Sequence, residues 1–132
     1  MLDENQVKRL AKYWSDGAND DFAASKEILD NTKRYAIALF HMHLALEKLL
    51  KSKIVEKMHD HPPYTHNLIH LSSKLKLQLN DDQIEFLSEL SQFNLTTRYP
   101  SEKDAIRSFA TQELAKNYMI KTEETFQWIL LK

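Results

Sequence analysis

Residues 36–54 read AIALFHMHLALEKLLKSKI, and this stretch decides the fold. Ala36, Leu39, His43, Leu46, Leu50 and Ile54 recur at spacings of three and four, the period of one face of an α-helix. Phe40, Leu44 and Leu49 widen that face. A helix apolar over so much of its circumference belongs at the centre of a bundle, with neighbours on several sides. The pattern predicts a helix from Lys33 to Met58. It ends at His59-Asp60-His61-Pro62-Pro63, where two prolines remove backbone donors and push the preceding residue out of the helical region.

Upstream, Val7, Leu10, Trp14, Ala18, Phe22 and Leu29 fall at intervals of three, four or seven, which predicts an amphipathic helix from Leu2 to Asp30. Gly17 interrupts it at a cost of about 1 kcal/mol relative to Ala, so a kink or a close helix crossing is expected there. Asp30-Asn31-Thr32 supplies turn and cap chemistry. Downstream, Thr65 is expected to cap a short helix carrying Leu68, Ile69, Leu71 and Leu75. Asn80 or Asp81 caps a fourth, with Ile84, Phe86, Leu87, Leu90 and Phe93 as its apolar positions. Arg98-Tyr99-Pro100 breaks that helix. A largely polar stretch, Ser101 to Ala110, leads to Thr111, the cap of a last helix burying Leu114, Tyr118, Met119, Phe126, Ile129 and Leu130. Short connections arrange these roughly five helices as an up-and-down, all-α bundle. No repeat, low-complexity tract or linker divides the chain, so residues 1–132 are read as a single domain.

Composition agrees. One Gly and three Pro are too few for the turns of an all-β fold. Eighteen Lys plus Arg against nineteen Asp plus Glu give a net charge of −1, which removes the bulk positive excess of a general nucleic-acid binder and leaves room only for a local basic stripe. The absence of Cys excludes disulfides, thiolate nucleophiles and cysteine metal ligands. The opening MLDENQVKRLAKYW carries acids and no apolar core of the kind a signal peptide has, and no stretch reaches the length of a membrane span. A cytoplasmic location is the expectation.

Three blocks of sequence carry a further signal. The first is Trp14…Ala18…Asp21-Phe22…Ser25…Ile28-Leu29. The second is Phe40-His41-Met42-His43-Leu44-Ala45-Leu46-Glu47-Lys48-Leu49-Leu50-Lys51, close to the pattern H-x-A-x-E-K-x-L-K. The third pairs Pro63-Tyr64-Thr65-His66-Asn67-Leu68 with Thr97-Arg98-Tyr99-Pro100, a P-x-T-H-x-L … R-Y-P signature. Together they resemble the HEPN family (higher eukaryotes and prokaryotes nucleotide-binding), of the Arg-Tyr-Pro type. The resemblance implies a five-helix bundle, often a homodimer. It also implies a link to nucleotide binding, or to toxin–antitoxin pairs in which a minimal nucleotidyltransferase is the partner. Other members are metal-independent ribonucleases that use an Arg and a His separated by four to six intervening residues.

Each candidate site has a plain structural reading beside it. Arg98 is the natural ribonuclease Arg, yet no His follows it. The only formal match is Arg34 with His41, seven positions apart and thus on one helix face at about 10 Å, but at the start of helix two rather than late in the bundle. A His titrating near neutrality suits acid–base work. An exposed Arg and a surface His are the simpler account. Glu47 adjoins the inward stripe, and a half-buried carboxylate needs a partner. Arg98 is the expected one, through its bidentate fork. That pair either only fixes the bundle or opens a polar cleft where Arg98 and Tyr99 meet a phosphate or a base. Lys48 and Lys51, with Lys53 and Lys57 nearby, form either a phosphate-neutralising ridge or an ordinary solvated helix face; Glu47 and Lys51 also suit an i, i+4 pair. His59, His61, His66 and His70 invite a zinc reading, but no strict ligand pattern supports it. His66 falls in the Thr-His signature, where capping or packing is expected, and His43 on the apolar stripe reads as a hydrogen-bonded core residue.

The preferred reading is a non-catalytic, dimeric module that binds a nucleotide, a nucleic-acid end or a nucleotidyltransferase partner. It uses Glu47, Lys48, Lys51, His66, Arg98 and Tyr99 and needs no metal or cofactor. The alternatives are a metal-independent endoribonuclease acting on RNA through Arg98, or through Arg34 with His41, and a purely structural partner.

Overall fold

The computed structural model describes residues 1–132, the side chain of Thr97 excepted. Its helices are α1 (Glu4–Asn31), α2 (Tyr35–Met58), α3 (Leu68–Lys74), α4 (Asp81–Leu90), α5 (Pro100–Phe109) and α6 (Gln112–Leu130). Two 3-10 turns, Ser91–Phe93 and Leu95–Thr97, join α4 to α5. No strand occurs among the described residues, and the fold is an all-α bundle. No helix among them is long and apolar enough to cross a membrane.

Caps explain where the helices begin. Asp3 and Gln6 form a reciprocal capping box at α1, and Asn80 with Gln83 forms another at α4. Thr111 caps α6, as expected. At α3 the cap is Asn67, whose side chain accepts from His70 N, while Thr65 Oγ1 accepts from Asn67 N. The expected cap thus sits two residues too early.

The helix α5 corrects the expectation of an irregular polar stretch. Pro100 occupies its first turn, where proline's fixed φ is already helical and its missing N–H is not needed. The segment buries no residue, so it carries little of the apolar signal by which a helix is recognised.

At the centre lies α2. Leu39, Met42, Leu46, Leu49, Leu50 and Ile54 are essentially shut off from solvent, packed with Leu68 and Leu71 of α3, Leu87 and Leu90 of α4 and Ile129 of α6. The helix α1 runs antiparallel to α2: Leu2 N donates to His59 O at 3.0 Å, and Ser52 Oγ donates to Ala11 O at 2.8 Å. Where the two axes approach, α1 presents small side chains, Ala11, Ala18 and Ser25, all buried. A Cβ at Gly17 would meet Lys48 Cδ at 3.0 Å. The glycine leaves room for the Lys48 side chain to lie across α1. On the other side α6 packs against α1, with the Phe22 and Phe126 rings 4.7 Å apart.

Candidate functional site

The polar residues of α1 and α2 gather into two networks on the crossing. In the first, Asp21 on α1 is almost buried. Its Oδ1 pairs with His41 Nδ1 at 2.8 Å and its Oδ2 with Lys48 Nζ at 2.7 Å. His41 and Lys48 are seven residues apart, close to two turns, so they reach the same carboxylate from one face of α2. The Lys48 stem lies over Gly17 to get there.

The second network surrounds Glu47, which is only 3% exposed. Its Oε2 accepts from Lys51 Nζ at 3.1 Å and its Oε1 from His66 Nδ1 at 2.9 Å. Lys51 itself is buried and sits 5.0 Å from the Trp14 ring centre. His43 is fully buried, and its Nε2 donates to the His66 carbonyl at 3.1 Å. A carbonyl cannot donate, so in the neutral ring Nδ1 carries the lone pair, 3.8 Å from Glu47 Oε1. Burial lowers the His43 pKa below 6.5, against the opposing pull of Glu47 and of the hydrogen bond to His66. The network ties the loop before α3 to the centre of α2. His43 is thus the hydrogen-bonded core residue its position in the stripe implies.

These contacts correct several expectations. Glu47 and Arg98 do not pair: Glu47 is satisfied by Lys51 and His66, and Arg98 Nη1 meets Glu102 Oε2 at 3.4 Å, in the first turn of α5. Arg98 Nε is buried without a hydrogen-bond partner among the described residues, and Tyr99 projects into solvent as the N-cap of α5. The four lysines do not form one ridge. Lys48 and Lys51 turn toward α1, whereas Lys53 Nζ donates to Leu130 O and Lys57 Nζ to Leu75 O on the far side of α2. Arg34 is the N-cap, with non-helical φ −91 and ψ 66, so the seven-residue spacing does not place it on the face of His41. Among the described residues no group of three His, Cys, Asp or Glu is arranged to hold a metal ion.

At the opposite end of α2 from the two prolines, Arg34 joins residues that the sequence does not group with it. A groove of about 380 Å³ is lined by Lys33, Arg34, Tyr35, Ala36, Ile37, Arg107 and Ala110. No acid is among these lining residues. Lys33 and Arg34 have no ion-pair partner among the described residues, and Arg107 pairs only with exposed Asp104 at 3.2 Å. The first turn of α2 forms part of its wall, with no side-chain cap and no acidic residue. Its partial positive charge therefore adds to that of three cations. Lys33 and Arg34 are adjacent in sequence, but Arg107 is over seventy residues away, and only the fold brings them together.

The family model for the HEPN domain matches residues 11–132, nearly the whole chain. The chain belongs to the HEPN family. In fold this HEPN domain is similar to the crystal structure of TT1696 from Thermus thermophilus. The TM-score is 0.73 over 90% of this chain and 94% of that one, at 21% identity. Likeness at that identity speaks to the fold alone. No curated protein matches the sequence. Within the HEPN domain five residues of the blocks that carry the family pattern, Asp21, Glu47, Lys48, Lys51 and His66, hold α1, α2 and the α3 entry together.

Proposed function

We propose that this HEPN domain is a non-catalytic, homodimeric binding module that takes a phosphate-bearing ligand, a nucleotide or a nucleic-acid end, and acts beside a nucleotidyltransferase partner. The observation that carries the reading is the groove of Lys33, Arg34 and Arg107 at the start of α2. It holds three cations against no lining acid in a chain whose net charge is −1. Arginine forks match phosphate oxygens in pairs, and the helix start adds unsatisfied N–H donors. Tyr35 in the same wall offers a ring for a base to lie against. Of the residues expected from sequence to bind ligand, Glu47, Lys48, Lys51 and His66 take part in the two networks between the helices. The non-catalytic side rests on the sequence: no His follows Arg98.

Thermal melting with millimolar ATP and, separately, a short single-stranded RNA tests the binding. A ligand of the native state must raise the melting temperature, and Arg34→Glu/Arg107→Glu, both on the surface, should abolish the rise without changing the unliganded midpoint. An unchanged midpoint for the wild-type protein with either ligand would contradict the reading. RNA recovered intact after incubation without metal is the companion result. Fragments that disappear with Arg98→Ala would instead make the domain a ribonuclease.

A further inference from the structure

The face built by the second half of α6 is divided by charge. On one side of Trp128 a groove of about 760 Å³ is lined by Lys53, Lys57, Lys76 and Lys132 with one acid, Glu56. On the other side a groove of about 630 Å³ is lined by Asp82, Glu85, Glu89 and Glu124 with one base, Lys121. Trp128 is a wall of both. Counting side chains, the halves carry three net charges of opposite sign. The C-terminal carbonyls of α3 and α6, which Lys57 and Lys53 meet, temper the basic half. The start of α4 tempers the acidic one. Each helix end contributes about half an elementary charge, too little to reverse either sign.

Such a face is complementary to itself. A two-fold axis lying in an interface and passing along the boundary between the halves sets each basic groove against the partner's acidic groove, and the reverse. Isologous contacts require this self-complementarity. The two Trp128 rings come together near the axis, with Leu131, 85% exposed at the edge of the basic groove, beside them. An aromatic centre within a charged rim is the common anatomy of a protein interface. A lone nucleic acid fits only the basic half and a basic peptide only the acidic half. A second copy satisfies both.

We propose that the occupant of this face is a second copy of the chain, docked about a two-fold axis at Trp128. The inference rests on the homodimeric reading above and adds its surface. Opposite charges here set partner choice and salt dependence more than total affinity.

The test uses exposed residues: Lys76→Glu/Lys132→Glu turns the basic half net acidic, and Glu85→Lys/Glu124→Lys turns the acidic half net basic. Glu89 is spared because Tyr118 donates to it. Sedimentation equilibrium should give a wild-type dimer weakened by salt, and each variant alone should be at least roughly tenfold weaker, since every change occurs twice at a two-fold interface. An equimolar mixture should regain the dimer mass, now as a heterodimer. Circular dichroism confirms that each variant is folded, and the single changes Lys76→Glu and Glu124→Lys replace a double variant that is not. Variants that stay dimeric would overturn the surface while leaving the homodimer standing. A mixture that stays monomeric would do the same. A wild-type chain monomeric at every concentration would overturn both.

Discussion

At the scale of the residue, the molecule is governed by polar groups placed where water cannot reach. His43 is the clearest case. Burial disfavours its charged form, so the folded chain binds that proton less readily than the unfolded chain. The sign follows: stability is complete above pH 6.5 and falls as the pH drops below that value. From this one group the slope reaches at most about 1.4 kcal/mol per pH unit. Urea unfolding across that range should show His43→Gln, which keeps a donor for the His66 carbonyl, losing less stability on acidification than the wild type; parallel curves would assign the pH dependence elsewhere. Glu47 gives the second prediction. Removing it leaves Lys51 charged, 5% exposed and without its carboxylate, which is expected to cost about 3–5 kcal/mol. Glu47→Ala/Lys51→Met should recover most of that loss in denaturant midpoints, and a double variant as unstable as the single one would show that the pair is not the reason. The sequence marked Glu47 and His43 as inward-facing, because helical spacing alone fixes that. It named Lys51 as an i, i+4 partner of Glu47, as observed, but set Arg98 beside the carboxylate in place of His66, which comes from a loop whose path no periodicity predicts.

At the scale of the element, the helices differ in what holds them. α2 is walled in by α1, α3, α4 and α6, whereas α5 has no buried residue and leaves Phe109 70% exposed. Local opening needs least free energy where least apolar surface is lost. Amides of α5 should therefore exchange with solvent through local opening at least about a hundredfold faster than those at the centre of α2, as read by native-state hydrogen exchange. Equal protection would mean that α5 opens only with the whole molecule, and so is covered by something else. The same contrast explains what could be read in advance. The starts of α4 and α6 were legible because Asn80 and Thr111 are strong caps before apolar runs. The helix α5 was not, since Ser101 to Ala110 has few apolar positions and its start is set by Pro100, which also reads as a breaker. The split of Lys53 and Lys57 from Lys48 and Lys51 was visible in principle as an angular difference around α2. It gained meaning only once α1 and α6 were known to flank opposite sides.

At the scale of the whole molecule, the all-α bundle and the HEPN family were legible because both rest on signals local in sequence: the 36–54 stripe and three short blocks. The candidate site was not, because a groove is a property of the fold. Lys33 reads as the start of a helix, Arg34 as half of an Arg–His pair and Arg107 as one charge among several until the start of α2 and the end of α5 meet. The charged residues of the first two family blocks, with His66 of the third, pair with one another across the helices, so their spacing carries no information about this groove. The central claim is that this HEPN domain binds a phosphate-bearing ligand at the start of α2. The most direct measurement is a titration of the isotopically labelled protein with ATP, followed by the shifts of its amide resonances. The largest changes are expected at Lys33 to Ile37 and at Arg107 to Ala110, and lost in Arg34→Glu/Arg107→Glu. Changes centred on Glu47 and His66, or none at millimolar ATP, would contradict it.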